Sequence, residues 1–460
     1  MKKLWIILTL ALAVLTGTGC KQNSEVDSGS TGSDTTNTGD DSSDFVDEQT
    51  WNTTINLVWN GTDVTVTGSA DGVTITNSNG YVTVTSTAKH IEYAVSGSGT
   101  GQLSIYSDYK YKLSLEGLTL ACSDGPAINN QCSKTCYAVL GGTNTLSDGA
   151  SYASSFEDRK AAFFSEGQIC FSGSGSLAIT GNYKHALASD DYIRLCSGTG
   201  VIDLTSKVSD GMHANDGIII NDGTLTINAA DEGIQCDESS VLITGGTVTV
   251  ISQTEGIEAK GVLEISGGRV FAQANDDAIN SGGDMTISGG FVMAYSTGND
   301  GLDANGNCYI KGGIVYAIGA SSPEVAIDAN TEERKQLYVQ GGTIVAIGGL
   351  ESGASLSQTC YSASSVSKNT WYALYSGSDL AFVFKTPSSL SASTFVVSTG
   401  DTASLKSGVT TSGGSSILNS YALSSPTVSG GNSVTLSSYS GGNSGGGPGG
   451  GGPGGRPGGW

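Results

Sequence analysis

The chain is short of charge, and short of positive charge above all. Lys and Arg number 21 against 43 Asp and Glu in 460 residues, a formal net charge of −22 with only 14% of residues charged. That balance argues against DNA or RNA as a partner, because neutralising phosphates takes clustered Lys and Arg. Cations, or ligands held through cations, suit it better. Long apolar runs are missing beyond the N-terminus, so no later segment is long and apolar enough to span a bilayer as a helix, which takes about 20 apolar residues. Strong helix formers are displaced by 68 glycines and by abundant Ser, Thr and β-branched residues. Such a composition disfavours long helices and favours strands and turns.

The N-terminus has the pattern of an export signal: Lys2 and Lys3, an apolar run from Leu4 to Leu15, then small residues up to Cys20. The run "LTGTGC" resembles a bacterial lipoprotein signal over residues 1–20, with Cys20 as the lipid anchor; Gly17 stands where an aliphatic residue is usual, and an ordinary secretory signal is the alternative. Residues 21–50 carry eight acids and one lysine among Ser, Thr, Gly and Asn. This is the composition of a disordered tether, assigned to residues 21–51. The expected location is the bacterial cell envelope, lipid-anchored and surface-exposed. Eight cysteines follow Cys20. Cys122, Cys132 and Cys136 could include a disulfide, whereas Cys170 and Cys308 fall at interior positions and are expected as buried free thiols.

A repeat decides the fold. Aligning an acid-Gly-aliphatic phrase gives "SDGMHAN" from Ser209, "DEGIQCD" from Asp231, "TEGIEAK" from Thr254, "DDAINSG" from Asp276, "NDGLDAN" from Asn299 and "EVAIDAN" from Glu324. The small third residue recurs at spacings of 22, 23, 22, 23 and 25. Each unit holds three short alternating runs, such as Ile257 and Ala259, Leu263 and Ile265, then Val270 and Ala272 after Gly267 and Gly268. Three period-two strands per unit at constant spacing predict a coil, not a series of hairpins. The fold class expected is therefore all-β, a right-handed parallel β-helix with three strands per 22–25-residue coil. It is placed over residues 52–349 with an insertion near 141–160, followed by a small C-terminal β module or cap over 350–438 and a Gly/Pro-rich tail over 439–460.

In each phrase the aliphatic residue and the small residue two places later point inward, so the residue between them points out. That outward row reads His213, Gln235, Glu258, Asn280, Asp303, Asp328, and the preceding turns add Asp210, Asp231, Glu232, Glu255, Asp276, Asp277, Asp300 and Glu324. Carboxylates stacked about 4.8 Å apart repel one another, and Lys260 is the main cation in the same rows. Hard cations with oxygen ligands resolve this, and carboxylates with Asn favour calcium over zinc. The best cluster joins Asp276, Asp277 and Asn280 to Asn299, Asp300 and Asp303; further metal candidates are Glu255, Glu258, Asp328 and Asp210. A solvated acidic face is the competing reading.

These coils, with "ITGGTV", "ISGG", and "NDDAIN" followed by "NDGLDAN", resemble the calcium-binding, pectate-lyase-like β-helix family of bacterial carbohydrate-binding domains known from cellulolytic clostridia. The resemblance covers about residues 60–350 and implies bound calcium and binding of polygalacturonate and cellulose without demonstrated lyase activity. It also implies Asp276, Asp277, Asp300 and Asp303 as calcium ligands; Glu255 and Glu258 replace Asp, and "EVAIDAN" lacks the acid-Gly pair. The function expected is thus a cell-surface carbohydrate-binding lipoprotein, a monomer, not an enzyme. A calcium-dependent pectate lyase is the alternative, with Lys260, Lys311, Arg334 or Lys335 as base, although each reads first as a surface residue; His185 and His213 likewise read as solvent-facing or corner residues. A structural or adhesive solenoid is the third class. Aromatic platforms for neutral glucan would come from Tyr295, Tyr309 and Tyr316.

Overall fold

A computed structural model of the chain describes residues 42–441; the signal segment, Cys20, most of the tether and the Gly-rich tail lie outside the described residues. What repeats in the sequence repeats in space. Strands Met212–Ala214, Ile234–Cys236, Ile257–Ala259, Ile279–Ser281 and Leu302–Ala304 pair in parallel, each with its counterpart one coil away. They belong to an 11-stranded sheet. The second and third strands of each coil form two further parallel stacks, such as Leu263–Ile265 on Met285–Ile287 and Arg269–Ala274 on Phe291–Ser296. The protein is a parallel β-helix.

Parallel in-register pairing places like above like. Ile234, Ile257, Ile279, Leu302 and Ile327 make one fully buried row, and Ile243, Ile265, Ile287, Ile310 and Val339 another. Each buried aliphatic side chain is worth about 1.5–3 kcal/mol relative to exposure, and none is large enough to push the coils apart.

The Gly-Gly phrase answers two separate demands. At Gly289 a Cβ would lie 2.2 Å from the Ser266 carbonyl oxygen of the coil below, so there is no room for one; Gly290 has room problems too but chiefly needs its φ of +79°. The same pair of demands recurs at Gly267 and Gly268 and at Gly312 and Gly313.

The two ends depart from the coil. At the N-terminal end, Val73–Ser78 and Tyr81–Ser86 pair antiparallel across Asn79 and Gly80, both at positive φ. That is a two-residue hairpin of the Asn-Gly type, where a regular coil was expected. The insertion is shorter than expected, because Thr143–Ser147 is a regular strand between two coils; the irregular loop spans 148–160. At the far end Phe395–Ser398 runs antiparallel to Thr343–Ile347 and closes that sheet edge. A separate six-stranded antiparallel sheet follows, and its Phe382, Phe384 and Tyr372 pack with Met293, Tyr295, Tyr316 and Val345 of the coils. The C-terminal module therefore covers one face of the helix as well as its end. All eight described cysteines are free and buried, so the disulfide considered for Cys122, Cys132 and Cys136 is not formed.

The end of the presumed tether is not loose. Asp44 pairs with Arg194 at 2.8 Å, Tyr192 Oη donates to the same carboxylate, and Phe45, Val46 and Trp51 cover Tyr137, Cys170 and Cys196. Acidic composition hid this, because one buried ion pair and three apolar side chains suffice to dock ten residues.

Gly290→Ala should destabilise the protein by about 1–3 kcal/mol, from the left-handed backbone and the overpacked turn. Gly217→Ala, at negative φ with 3.7 Å to the nearest atom, should stay within about 0.5 kcal/mol of the parent. Urea unfolding midpoints of the two variants check this.

Candidate functional site

The acid-Gly phrase forms the turn into the 11-stranded sheet, and the register puts its residues into columns. The fifth position gives His213, Gln235, Glu258, Asn280 and Asp303 in direct pairing; bridges at Ile327 and Leu350 carry the column on through Asp328 to Glu351. The second position gives Asp210, Glu232, Glu255, Asp277 and Asp300. The first, with Asp231, Asp276, Asn299 and Glu324, lies outermost. The third is small because a Cβ at Gly233 would meet the Val250 side chain at 2.0 Å, and at Gly301 the Ala326 carbonyl oxygen at 2.6 Å.

The second and fifth columns are crowded. Asp277 and Asp300 are buried although they point away from the coil interior. Asp277 accepts the Asp300 backbone N–H at 2.9 Å and Asp300 accepts that of Val325 at 2.5 Å, so each carboxylate fastens the turn of the next coil. Asn280 Nδ2 donates to Asp277 at 3.1 Å and to Asp303 at 3.4 Å. Oxygens of Asp300, Asp303 and Asp328 lie within 4.8 Å of one another. No Lys, Arg or His pairs with Asp277, Asp300, Asp303 or Asp328 among the described residues.

Burial and mutual repulsion then act on the protons. Burial, with Asp303 nearby, pushes Asp277 up to about 8. Burial raises Asp300 to about 7 and Asp303 to about 6, with Asp303 acting on the former and Asp276 on the latter. Asp328 is raised by burial and by sharing a hydrogen bond with Glu351. Three close oxygen donors, one buried and two half-buried, and without a cationic partner among the described residues, fit a hard divalent cation.

The six expected ligands do not all converge. Asp300 and Asp303 do, with Asp328 as the third member, while Asp277 reaches Asp303 only through the Asn280 amide. Asp276 is exposed and accepts from Asn299 at 2.7 Å, which leaves that pair on the rim. Glu258 is bound by Lys260 Nζ and by Gln235 Nε2 at 3.2 Å, so its charge is answered within the protein. Glu255 is raised by burial and stands one coil from the cluster. Asp210 lies at the other end, between His185 and His213. Both histidines are buried, 6% exposed, rather than solvent-facing. Two participants were missed: Glu351, which the 23-residue step from Asp328 could have revealed, and His185, which stands 25 residues before Asp210, the same step that pairs Leu187 with Met212.

The other candidates are accounted for by packing. Lys311 lies over the Tyr309 ring at 5.0 Å, on a different sheet from the acids, and Arg334 is an exposed turn residue. Tyr295 and Tyr316 are buried under the C-terminal module. Tyr309 stacks on Tyr338 at 5.0 Å and 8°, so its faces are turned along the coil axis.

In metal-free protein the folded state keeps protons on Asp277, Asp300 and Asp303 up to about pH 8, 7 and 6, whereas the unfolded chain releases them near about 4. More protons in the folded state means stability falls as pH rises across that window. Chelator-treated protein should therefore melt at a higher temperature at about pH 5 than at about pH 8, and Asp300→Asn should shrink the difference; differential scanning calorimetry at both pH values checks it.

With the geometry in place, comparison with known proteins is informative. No curated protein matches the chain. Among solved structures, a polysaccharide lyase-like protein from C. thermocellum, solved as a gadolinium derivative, is similar at 17% identity; the match covers 66% of this chain and 99% of that one at a TM-score of 0.37. The family model described as "Carbohydrate-binding domain-containing protein" matches residues 78–329, a span that holds nearly all of the coils and every acid of the columns from Asp210 to Asp328. Over more than half its length, then, the chain belongs to the family of carbohydrate-binding domain-containing proteins.

Proposed function

We propose that the protein binds acidic polysaccharide of the polygalacturonate type through calcium held on the carboxylate columns, and that it does so without cleaving the chain. One observation carries the reading: Asp300, buried, and Asp303 and Asp328, half-buried, present oxygens within 4.8 Å of one another where the described residues offer them no protein cation. Asp277 and Asn280 complete the oxygen-rich surroundings. When bound, calcium supplies positive charge between protein carboxylates and sugar carboxylates. A chain with a net charge of −22 would otherwise repel a polyuronate. The residues themselves position the ion: Asp300 is fixed by the Val325 N–H and Asn280 spans Asp277 and Asp303. Binding rather than lysis is supported by the family and by Lys260, which is committed to Glu258. On this reading the export signal and Cys20 tether the domain to the cell envelope, facing outward.

Retention of the full chain on insoluble polygalacturonate and on cellulose, with calcium and with EDTA, tests it. Calcium-dependent retention on polygalacturonate without ultraviolet-absorbing unsaturated product is expected, and Asp300→Asn with Asp303→Asn should lower it more than about ten-fold, the loss of two charged ligands. Product formation would make the protein a lyase. Calcium that raises the melting temperature but never retention would make the columns purely structural.

A further inference from the structure

We infer that His185, Asp210 and His213 form a second metal site, one for a borderline divalent ion of the zinc type. The site is separate from the acid columns around Asp300. Four coil steps separate Asp210 from Asp300, about 19 Å at about 4.8 Å per step.

The donors are already gathered. His185 Nδ1 lies 3.1 Å and His213 Nδ1 2.9 Å from the same oxygen, Asp210 Oδ2. The two rings stack with centroids 4.3 Å apart at 19°. Bonds of about 2.0–2.1 Å around a tetrahedral ion put neighbouring donors about 3.3 Å apart, so the observed separations need only small adjustment. Two imidazoles and one carboxylate suit zinc, whereas calcium prefers oxygens alone.

A second observation points at a ligand. His213 Nδ1 has hydrogen-bonding contacts with Asp210 and with Gln235 Oε1 at 3.0 Å. His185 Nδ1 has none of proper geometry despite its nearness to Asp210: it is a buried nitrogen without a hydrogen-bond partner, on a side chain 8% exposed. Such an atom is costly unless something binds it. On the far side His213 Nε2 lies 3.4 Å from Asp237 Oδ2, the carboxylate behind a ligating imidazole that orients such a ring. The ion would tie the strand His185–Ser189 to the next coil.

The test uses the full chain, stripped with chelator, equilibrated with zinc in excess calcium and desalted. One zinc per chain is expected by elemental analysis, with a zinc-edge absorption spectrum showing two imidazoles. The chain has three histidines, and His90 is exposed and bonded to the Thr50 carbonyl, so a two-imidazole shell identifies this pair. His185→Gln should weaken zinc more than about ten-fold, while Asp300→Asn should leave it unchanged. No zinc retained by the parent protein, a shell without imidazole, or equal retention by folded His185→Gln would each overturn the assignment. The spectrum of the parent protein decides the matter if the variant does not fold.

Discussion

Everything in this molecule follows from one constraint: each strand pairs in parallel and in register with its own counterpart one coil away. Parallel pairing has no freedom to alternate partners, so any residue placed once per coil becomes a column. Aliphatic residues pointing inward become rows of core, and the Gly-Gly corner becomes a stack in which each carbonyl occupies the space where the next Cβ would sit. The same geometry leaves no way to separate acids that recur at one position. Charge crowding is the direct consequence of a register that the core requires.

That consequence also explains why the acids are half hidden. The second-position carboxylates accept the backbone N–H of the next turn, as Asp277 does from Asp300 and Asp300 from Val325, which draws them against the backbone and out of water. A carboxylate that accepts a single N–H while losing most of its hydration is raised rather than lowered in pKa, because desolvation outweighs one hydrogen bond. The turn is fastened well and the charge is solvated poorly. Site and scaffold are thus made by the same side chains, and neither role can be removed without touching the other.

Much of this was legible in the sequence because the repeat is regular where the coils are regular. The inward and outward assignments of Ile257, Glu258 and Ala259 need only period two, and the 22- and 23-residue steps supply the register. Legibility fails where local chemistry replaces the period. "SNGY" at residues 78–81 carries the Asn-Gly signature of a tight hairpin, yet the alternating runs on either side look like coil strands. Glu351 was lost because its phrase, "GGLES", has Gly where most earlier phrases carry an acid before the small residue, and Asp44 because an acidic, Ser-rich segment gives no sign that one carboxylate will be buried against Arg194. The histidine pair was harder to see: the pairing of Leu187 with Met212 puts His185 in the column of Asp210 one coil earlier, but its phrase "KHALAS" carries a histidine where the later coils carry an acid, and no Gly.

Seen along its length, the outward column settles its charge in three ways. At His213 the ring contacts Asp210 and the Gln235 amide; the Asp210 carboxyl is held far below its usual range by the two histidines despite burial, while the neighbouring Glu232 is raised by burial and by Asp210. At Glu258 a lysine two residues on supplies the counter-charge. From Asn280 onward neither device is present, and the acids become denser: Asp303, Asp328 and Glu351 succeed one another with Asp277 and Asp300 alongside. A column that contains its own solutions at one end and in the middle shows that neutralisation within the chain was structurally available. Its absence at the other end leaves a stretch of crowded oxygen donors that no Lys, Arg or His among the described residues answers, and it is on that stretch that the proposed capture of an acidic ligand by an acidic protein rests.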